Sequence, residues 1–267
     1  MSLISIDDGT GVERKLACLS RTSEPGSCLF APHYTEKFAV IERSLWRPMT
    51  ISQAKEYVDG STLPVLDQGT TSGCAGFAAT GAVHDARENT GLDFVHLAAG
   101  RLYHISGGGG DRGSMLGDNL ETAMKLGIPP MTSRDQELDW RSDWSEKETE
   151  EALAYRVVRA IDCPSFDYLV SASERGIAVE YGIFVGRNFS TDSSGIWMNG
   201  PSGDRGGHAL FAPRNALVKN DEGEFGLLTK NSWGSKWGYK GWCIVPEAYF
   251  ERSVFSDGWG VLASLIQ

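Results

Sequence analysis

A thiol begins an apolar segment in the sequence Asp67-Gln68-Gly69-Thr70-Thr71-Ser72-Gly73-Cys74-Ala75-Gly76-Phe77-Ala78. From Cys74 onward, alanine and phenylalanine recur at a spacing near 3.6 residues, and Asn89-Thr90-Gly91 follows as a stop signal. This pattern predicts a helix over residues 74–89, and the glycine-rich stretch before it predicts a turn. Cys74 would then lie at a helix N-terminus, where unpaired amides and the helix dipole favour a thiolate.

Two later segments supply the groups that a thiol nucleophile needs. Gly206-Gly207-His208-Ala209 contributes an imidazole, and Asn231-Ser232-Trp233-Gly234-Ser235-Lys236-Trp237-Gly238 contributes an amide beside an indole. His208 would take the thiol proton and pass it to the leaving amine, and Asn231 would orient the imidazole. The Gln68 amide would form an oxyanion hole with the backbone N–H of Cys74. The sequence therefore predicts four catalytic residues, namely Cys74, His208, Asn231 and Gln68.

In this order, these segments resemble those of the papain-like cysteine peptidases, and specifically their bacterial branch. The resemblance runs from about residue 46 to about residue 250, and it includes Arg112-Gly113-Ser114-Met115, which is similar to the loop that lines the substrate groove. It implies an α+β, two-lobed papain-like fold, with a helical lobe over about residues 70–155 that carries the nucleophile helix and a strand-rich lobe over about 156–250. It also implies substrate-binding residues at Gly73, Met115, Leu116, Gly207, Trp233 and Trp237.

The nucleophile segment departs from the family pattern. Ala75 stands where most members carry tryptophan, Gly73 stands where serine is usual, and residues 70–72 lack the cysteine that the family usually has there. Residues 1–45 are also too few for the family's long inhibitory propeptide. We expect them to form an irregular extension that could serve as a short pro-segment or a partner-binding arm, followed by a peptidase domain over residues 46–267.

Further helices and strands are predicted from periodicity and from stop signals. The predicted helices cover about residues 97–105, 118–126 and 165–175, with capping boxes at Asp118/Glu121 and at Ser145/Glu148, the second opening a short helix. The predicted strands cover residues 177–185, 208–211, 225–230 and 241–245. Because the thiol falls in the helical half and the imidazole in the strand-rich half, we expect the site at an interface between lobes.

Composition narrows the function further. The chain has 267 residues, 41% of them hydrophobic and 22% charged, which is typical of a globular domain. The net charge of −10, without a basic run, argues against a nucleic-acid partner. There is neither a signal peptide nor an apolar stretch long enough for a membrane span, which predicts a cytoplasmic protein, or one carried in a viral particle or exported without a conventional signal.

The five cysteines are scattered, and no Cys-x-x-Cys pair occurs, so we expect no metal site. A bridge between Cys18 and Cys28 would form only in an oxidising compartment. Because thiol catalysis needs neither a metal nor an organic group, no cofactor is expected.

We therefore expect a cysteine endopeptidase that acts on a peptide or protein substrate through a Cys74 thioester. A different class stays open: a catalytically weak papain-like domain used for binding, or as a structural part of a larger assembly such as a virion. Ala75 and the missing propeptide favour that alternative. Transfer of the acyl group to an amine instead of water shares the same thioester, and the sequence does not separate it from hydrolysis.

Overall fold

The structure is a computed structural model that describes residues 4–16, 18–19, 39–88, 90–131, 144–186, 189–201, 206–252 and 258–263. Its helices are α1 (Ile51–Gly60), α2 (Cys74–Glu88), α3 (Ala99–Ser106), α4 (Leu116–Lys125), α5 (Glu146–Ala152), α6 (Phe166–Ser173) and α7 (Ala248–Arg252). Its strands are β1 (Ile4–Asp7), β2 (Glu13–Leu16), β3 (Cys18–Leu19), β4 (Ser114–Met115), β5 (Val157–Asp162), β6 (Ala178–Val185), β7 (Gly206–Ala212), β8 (Leu217–Lys219), β9 (Phe225–Lys230), β10 (Trp242–Pro246) and β11 (Gly258–Ala263). The predicted α+β class is confirmed. No helix in these ranges is both long and apolar enough to cross a membrane.

One large antiparallel sheet organises the strand-rich part. Its strands lie in the order β10–β9–β7–β6–β11–β5, and β8 pairs with β9 beside this path. Strands β6 and β7 are buried along nearly their whole length, so both read as continuous apolar runs rather than as alternating patterns. His208 of β7 pairs with Ile183 of β6, which places the imidazole in the middle of the sheet.

Small side chains let α2 pack closely on this sheet. An added Cβ at Gly81 would lie 2.6 Å from Cδ1 of Phe211 in β7, so only glycine fits at this crossing. Ala79 and Ala82 have no exposed surface. The close approach brings Cys74, at the start of α2, into the same apolar cluster as Ala209, the neighbour of His208.

Most of the predicted elements are found within two residues of their predicted bounds, and α2 begins at Cys74 as expected. The capping box at Ser145 and Glu148 is present and opens α5. The box predicted at Asp118 and Glu121 is wrong, since α4 begins two residues earlier, after Met115, without a side-chain cap. The sequence analysis did not predict α1, α7, β4, β5, β8 or β11.

The prediction of irregular structure over residues 1–45 is wrong for residues 4–16 and 18–19, whereas the described residues 39–45 contain only a short 3₁₀ turn, Arg43–Leu45. β1 and β2 form an antiparallel hairpin, and β3 pairs in parallel with β4. Asp8-Gly9 is a turn signal, and the isoleucines and leucine on either side of it alternate with polar residues. The signal was therefore present in the sequence, although short. The lobe boundaries and the role of the extension stay predictions.

Gly127 follows the C-terminal end of α4 and has a φ of +78°. An added Cβ would lie 1.7 Å from the carbonyl oxygen of Ala152. We expect Gly127→Ala to lower the free energy of unfolding by about 2–5 kcal/mol, because left-handed strain and overpacking add. Gly91 (φ +72°) has nothing within 4 Å of its added Cβ, so Gly91→Ala should cost only the strain, about 1–2 kcal/mol. Urea unfolding measures both, and equal losses would contradict the overpacking argument.

Candidate active site

The hydrogen bond between His208 and Asn231 determines which ring nitrogen of His208 carries a proton. Nε2 of His208 lies 2.8 Å from Oδ1 of Asn231. The backbone N–H of Ser232 donates to the same Oδ1 at 2.8 Å, which identifies that atom as the amide oxygen. Because an amide oxygen only accepts, Nε2 must carry the proton. Nδ1 is then the basic nitrogen, and no hydrogen-bond partner for it is found among the described residues.

Aromatic rings enclose this hydrogen bond. The Trp233 ring lies 4.7 Å from the His208 ring, centroid to centroid, at an angle of 32°. Phe189 meets His208 edge-on at 6.0 Å and stacks on Trp237 at 5.5 Å. The cage excludes water from the His208–Asn231 bond, which strengthens that bond because the local dielectric is low. Phe189 was missed by the sequence analysis, because it stands in a polar stretch without periodicity.

The side chain of Gln68 is held on both sides by neighbouring groups. Its Oε1 accepts from the Ser232 hydroxyl at 2.6 Å, and its Nε2 donates to the carbonyl of Thr71 at 2.8 Å. The hydroxyl of Thr71 in turn donates to the carbonyl of Gln68 at 2.7 Å. Since Oε1 is held by Ser232, the amide is oriented, and one N–H of Nε2 stays available as a donor.

The turn before Cys74 explains one departure from the family pattern. The carbonyl of Gly73 accepts the first bond of α2, from the N–H of Phe77 at 3.1 Å. An added Cβ at Gly73 would lie 3.0 Å from Cδ1 of Tyr103, so serine would be crowded there. Ala75 is fully buried in the apolar cluster that also contains Cys74. The position that usually carries tryptophan is therefore packed core in this chain.

Lys230, the residue before Asn231, is almost fully buried. Its ammonium donates to the carbonyls of Leu63 and Pro64, each at 2.8 Å, and lies 4.7 Å from the centroid of the Trp242 ring. Burial lowers the pKa of Lys230 to about 7, against the opposing effect of the nearby carboxylates of α2. Lys230, the last residue of β9, thus ties the strand that leads into Asn231 to the segment that leads into Gln68.

The N-terminal arm, defined as residues 4–16 and 18–19, contacts both sides of the site. Arg14 donates to Asp8 at 2.7 Å, to Asp67 at 2.5 Å, and to the carbonyls of Gly69 and Trp233 at 3.0 and 2.8 Å. Further along the arm, the Cβ of Leu16 lies 2.7 Å from the position of an added Cβ at Gly206, the first residue of β7.

After Leu16, the arm pairs through β3 with β4, the segment predicted to border the substrate groove. The arm therefore passes from the histidine strand to the predicted groove wall. Cys74 and His208 have no exposed surface in this arrangement.

The six predicted substrate-binding residues lie in different environments. Met115 is half-buried in β4 beside β3, and Gly207 is buried in β7 next to His208. Leu116 is fully buried in the apolar cluster of the helical part. Trp233 and Trp237 are buried in the aromatic cage, and Gly73 forms the turn before the thiol. Contact of these six residues with substrate stays a prediction.

Three of the five cysteines, Cys74, Cys163 and Cys243, are buried, and none of the three forms a disulfide within the described residues. Burial raises the pKa of Cys163 to about 12 and holds that of Cys243 still further above its usual range. Cys28 and the side chain of Cys18 lie outside the described residues. The Cys18–Cys28 bridge therefore stays a prediction. Within the described ranges, no group of three or more metal-ligating side chains of the His, Cys, Asp or Glu type could hold a metal ion.

The chain has the fold of the papain-like cysteine proteases, because solved structures of this class match most of its length. Xylellain, a cysteine protease from Xylella fastidiosa, is similar to it with a TM-score of 0.69 and 17% identity, covering 92% of this chain and 95% of xylellain. Its bacterial source agrees with the bacterial branch that the motifs indicated.

Two further structures agree with this fold. Digestive procathepsin L 3 of the Tenebrio molitor larval midgut has a TM-score of 0.63 and 18% identity, covering 78% of this chain and 68% of its own. Bromelain from Ananas comosus, in complex with the E64 inhibitor, has a TM-score of 0.58 and 14% identity, covering 78% of this chain and 96% of its own. No protein-family model and no curated protein sequence matches the chain. These identities establish the fold, and the activity is argued below from the residues themselves.

Proposed function

We propose that the protein is a cysteine endopeptidase with Cys74 as nucleophile, His208 as base and acid, Asn231 as orienting residue and Gln68 as oxyanion donor. The observation that carries the proposal is the His208–Asn231 hydrogen bond, whose geometry leaves Nδ1 as the basic nitrogen. Nδ1 is the atom that a neighbouring thiol would protonate. The aromatic cage supports the proposal, since it shields this bond from water.

The reaction follows from the roles of these four residues. The proton of the Cys74 thiol moves to Nδ1 of His208, and the thiolate attacks the carbonyl carbon of the substrate. The N–H groups of Gln68 Nε2 and of the Cys74 backbone stabilise the resulting oxyanion, each donor contributing about 3 kcal/mol. The C–N bond then breaks, and His208 protonates the departing amine. Water adds to the thioester with His208 as base, which releases the acid and restores the thiol.

We also propose that the N-terminal arm occupies part of the substrate groove in the state described. Its backbone pairing with β4 uses the strand edge that an extended peptide would use, and Leu16 covers the start of β7. A peptide substrate would then bind only after the arm had moved. This proposal gives the predicted pro-segment a definite position.

Labelling with an E64-type epoxide tests the proposed function. We expect a single adduct on the reduced wild-type protein, assigned to Cys74 by peptide mapping and missing from Cys74→Ala. The four other cysteines serve as internal controls, because an unactivated thiol reacts slowly with such epoxides. Hydrolysis of a labelled unfolded protein, followed by fluorescence, should be lost in the same variant.

The absence of an adduct decides between the two classes of function only if the groove is open. Arg14→Met, which releases the arm as argued in the Discussion, is therefore labelled in parallel. If neither folded protein forms an adduct at Cys74, the peptidase proposal is wrong, and a binding or structural role in a larger assembly takes its place. Location in the cytoplasm or in a viral particle stays a prediction under either function.

A further inference from the structure

Asp111 connects three parts of the molecule that meet beside the nucleophile. It lies in the loop between α3 and β4. Its Oδ1 accepts hydrogen bonds from the backbone N–H of Ser72 at 2.6 Å and from the hydroxyl of Tyr103 at 3.1 Å. Its Oδ2 accepts from the ammonium of Lys15 at 2.5 Å. One oxygen therefore contacts the nucleophile turn, and the other contacts the N-terminal arm.

Tyr103 extends this network to the groove wall and to the turn. Its hydroxyl accepts from the backbone N–H of Gly113 at 3.0 Å, one residue before β4 begins. Its ring packs against Gly73, where an added Cβ would be only 3.0 Å away. Ser72 and Gly73 directly precede Cys74, so the bonds of Asp111 and the ring of Tyr103 hold the start of α2 against α3 and β4.

We propose that Asp111 is a positioning residue for Cys74, with Oδ1 fixing the nucleophile turn and Oδ2 anchoring the N-terminal arm through Lys15. The inference deepens the proposed function and rests on it, because it concerns the same thiol. Without an acceptor at Oδ1, the Ser72 N–H loses its bond to the loop before β4, and the Tyr103 hydroxyl keeps only the bond that it accepts from the Gly113 N–H. The turn would then be free to shift Cys74 relative to His208 and to the helix amides.

The charge of Asp111 suits this role. Burial raises the pKa of its carboxyl, but the hydrogen bonds from Lys15 and from the Ser72 N–H outweigh burial and hold the pKa below its usual range. The group is therefore ionised at neutral pH. An ionised acceptor forms shorter and stronger hydrogen bonds than a neutral one, so the turn is held more firmly than an amide would hold it.

The test compares Asp111→Asn with Asp111→Ala in the full chain. Asparagine keeps an oxygen for Ser72 and Tyr103 and loses the ion pair with Lys15, whereas alanine loses all three contacts. Both variants remove the same charge, so the ratio of their rates isolates the acceptor. The measurement is the rate at which iodoacetamide alkylates Cys74, followed by peptide mapping across a range of pH. Lys15→Met breaks only the contact to the arm and keeps the carboxylate for Ser72 and Tyr103, so Cys74 should be alkylated at least as fast in it as in Asp111→Asn.

We expect Asp111→Ala to be alkylated about tenfold more slowly than Asp111→Asn at pH 7, with the midpoint of its pH profile about one unit higher. The midpoint rises because a loosened turn withdraws the amides that stabilise the thiolate. A merely structural role would change thermal stability and leave the midpoint unmoved. Equal rates in the two variants, at equal folded fractions by circular dichroism, would overturn the proposal.

If Asp111→Ala does not fold, a second variant tests the positioning role of Asp111. Tyr103→Phe removes one donor to Oδ1 and leaves the bond to Ser72, and it should slow alkylation by about threefold. An unchanged rate in Tyr103→Phe would then overturn the proposal. Iodoacetamide reacts with any accessible thiolate, so these rates do not depend on peptide hydrolysis. Failure of the proposed function shows differently, as a Cys74 that iodoacetamide alkylates and the epoxide does not.

Discussion

His208→Ala should lower the turnover of a peptide substrate by about 10⁴- to 10⁶-fold, the range found when a single member of a catalytic triad is removed. Two steps fail together, because nothing accepts the thiol proton and nothing protonates the leaving amine. Cys74 should also lose its reactivity toward the epoxide at acidic and neutral pH. The midpoint of the pH profile of labelling should move toward about pH 8.5, the pKa of an ordinary thiol. The measurement is the pH profile of labelling, together with hydrolysis at saturating substrate.

The matched control is His104→Ala, which removes an imidazole from α3, at a position that no predicted site residue occupies. Its turnover and its labelling profile should equal those of the wild type. Asn231→Ala tests the orienting role separately and should cost less than His208→Ala, since the base is still present. Turnover of His208→Ala within tenfold of the wild type would contradict the assignment of His208 as base.

Arg14→Met should release the N-terminal arm and speed the labelling of Cys74 by about 100-fold. The guanidinium is buried, and its partners outside the arm are Asp67 and the carbonyls of Gly69 and Trp233, whereas Asp8 belongs to the arm itself. A hydrogen bond to a charged group contributes about 1.5–3 kcal/mol, so losing the three bonds to the body costs at least about 3 kcal/mol. Methionine keeps the apolar stem, so most of the loss falls on the contacts that hold the arm closed. The open fraction rises by about tenfold for each 1.4 kcal/mol lost. Epoxide labelling and hydrogen exchange of the arm amides both measure this opening.

Arg14→Lys is the companion variant, since it keeps the positive charge but loses the planar guanidinium that donates to several acceptors at once. We expect a labelling rate between those of Arg14→Met and the wild type. If labelling of Arg14→Met matches the wild type while its arm amides exchange faster, the arm does not limit access to Cys74. The proposal that the arm occupies the groove would then be wrong.

The sequence predicted those helices and strands that are marked by a pattern within a single short segment. Helix α2 follows from apolar spacing and a preceding turn, and β6 from a run that is rich in β-branched and aromatic residues. His208 and Asn231 were predicted because catalytic chemistry constrains their immediate neighbours in the chain. The structure brings Gln68, His208 and Asn231 into one hydrogen-bonded neighbourhood through Ser232. Their catalytic roles stay proposals.

Those features that depend on tertiary contacts were not predicted. Phe189 gains its position in the aromatic cage only when β7 and the segment around Trp233 come together. Arg14 looks like an ordinary surface arginine in the sequence, because its carbonyl and carboxylate partners are mostly far along the chain. Asp111 stands in a glycine-rich stretch and carries no periodic signal. Such residues can be identified only once the fold has brought their partners near.

The position of β11 has a consequence for how the protein forms during synthesis. β11 lies between β6 and the edge strand β5, so residues 258–263 form an interior strand that joins β5 to the rest of the sheet. Trp259 and Val261 of β11 also belong to the apolar cluster that contains Cys74. A ribosome-bound chain that has not yet exposed β11 therefore lacks part of the support for the nucleophile helix. Non-local pairing of this kind slows folding, so the thiol should become reactive only after β11 has left the ribosome and paired with β6.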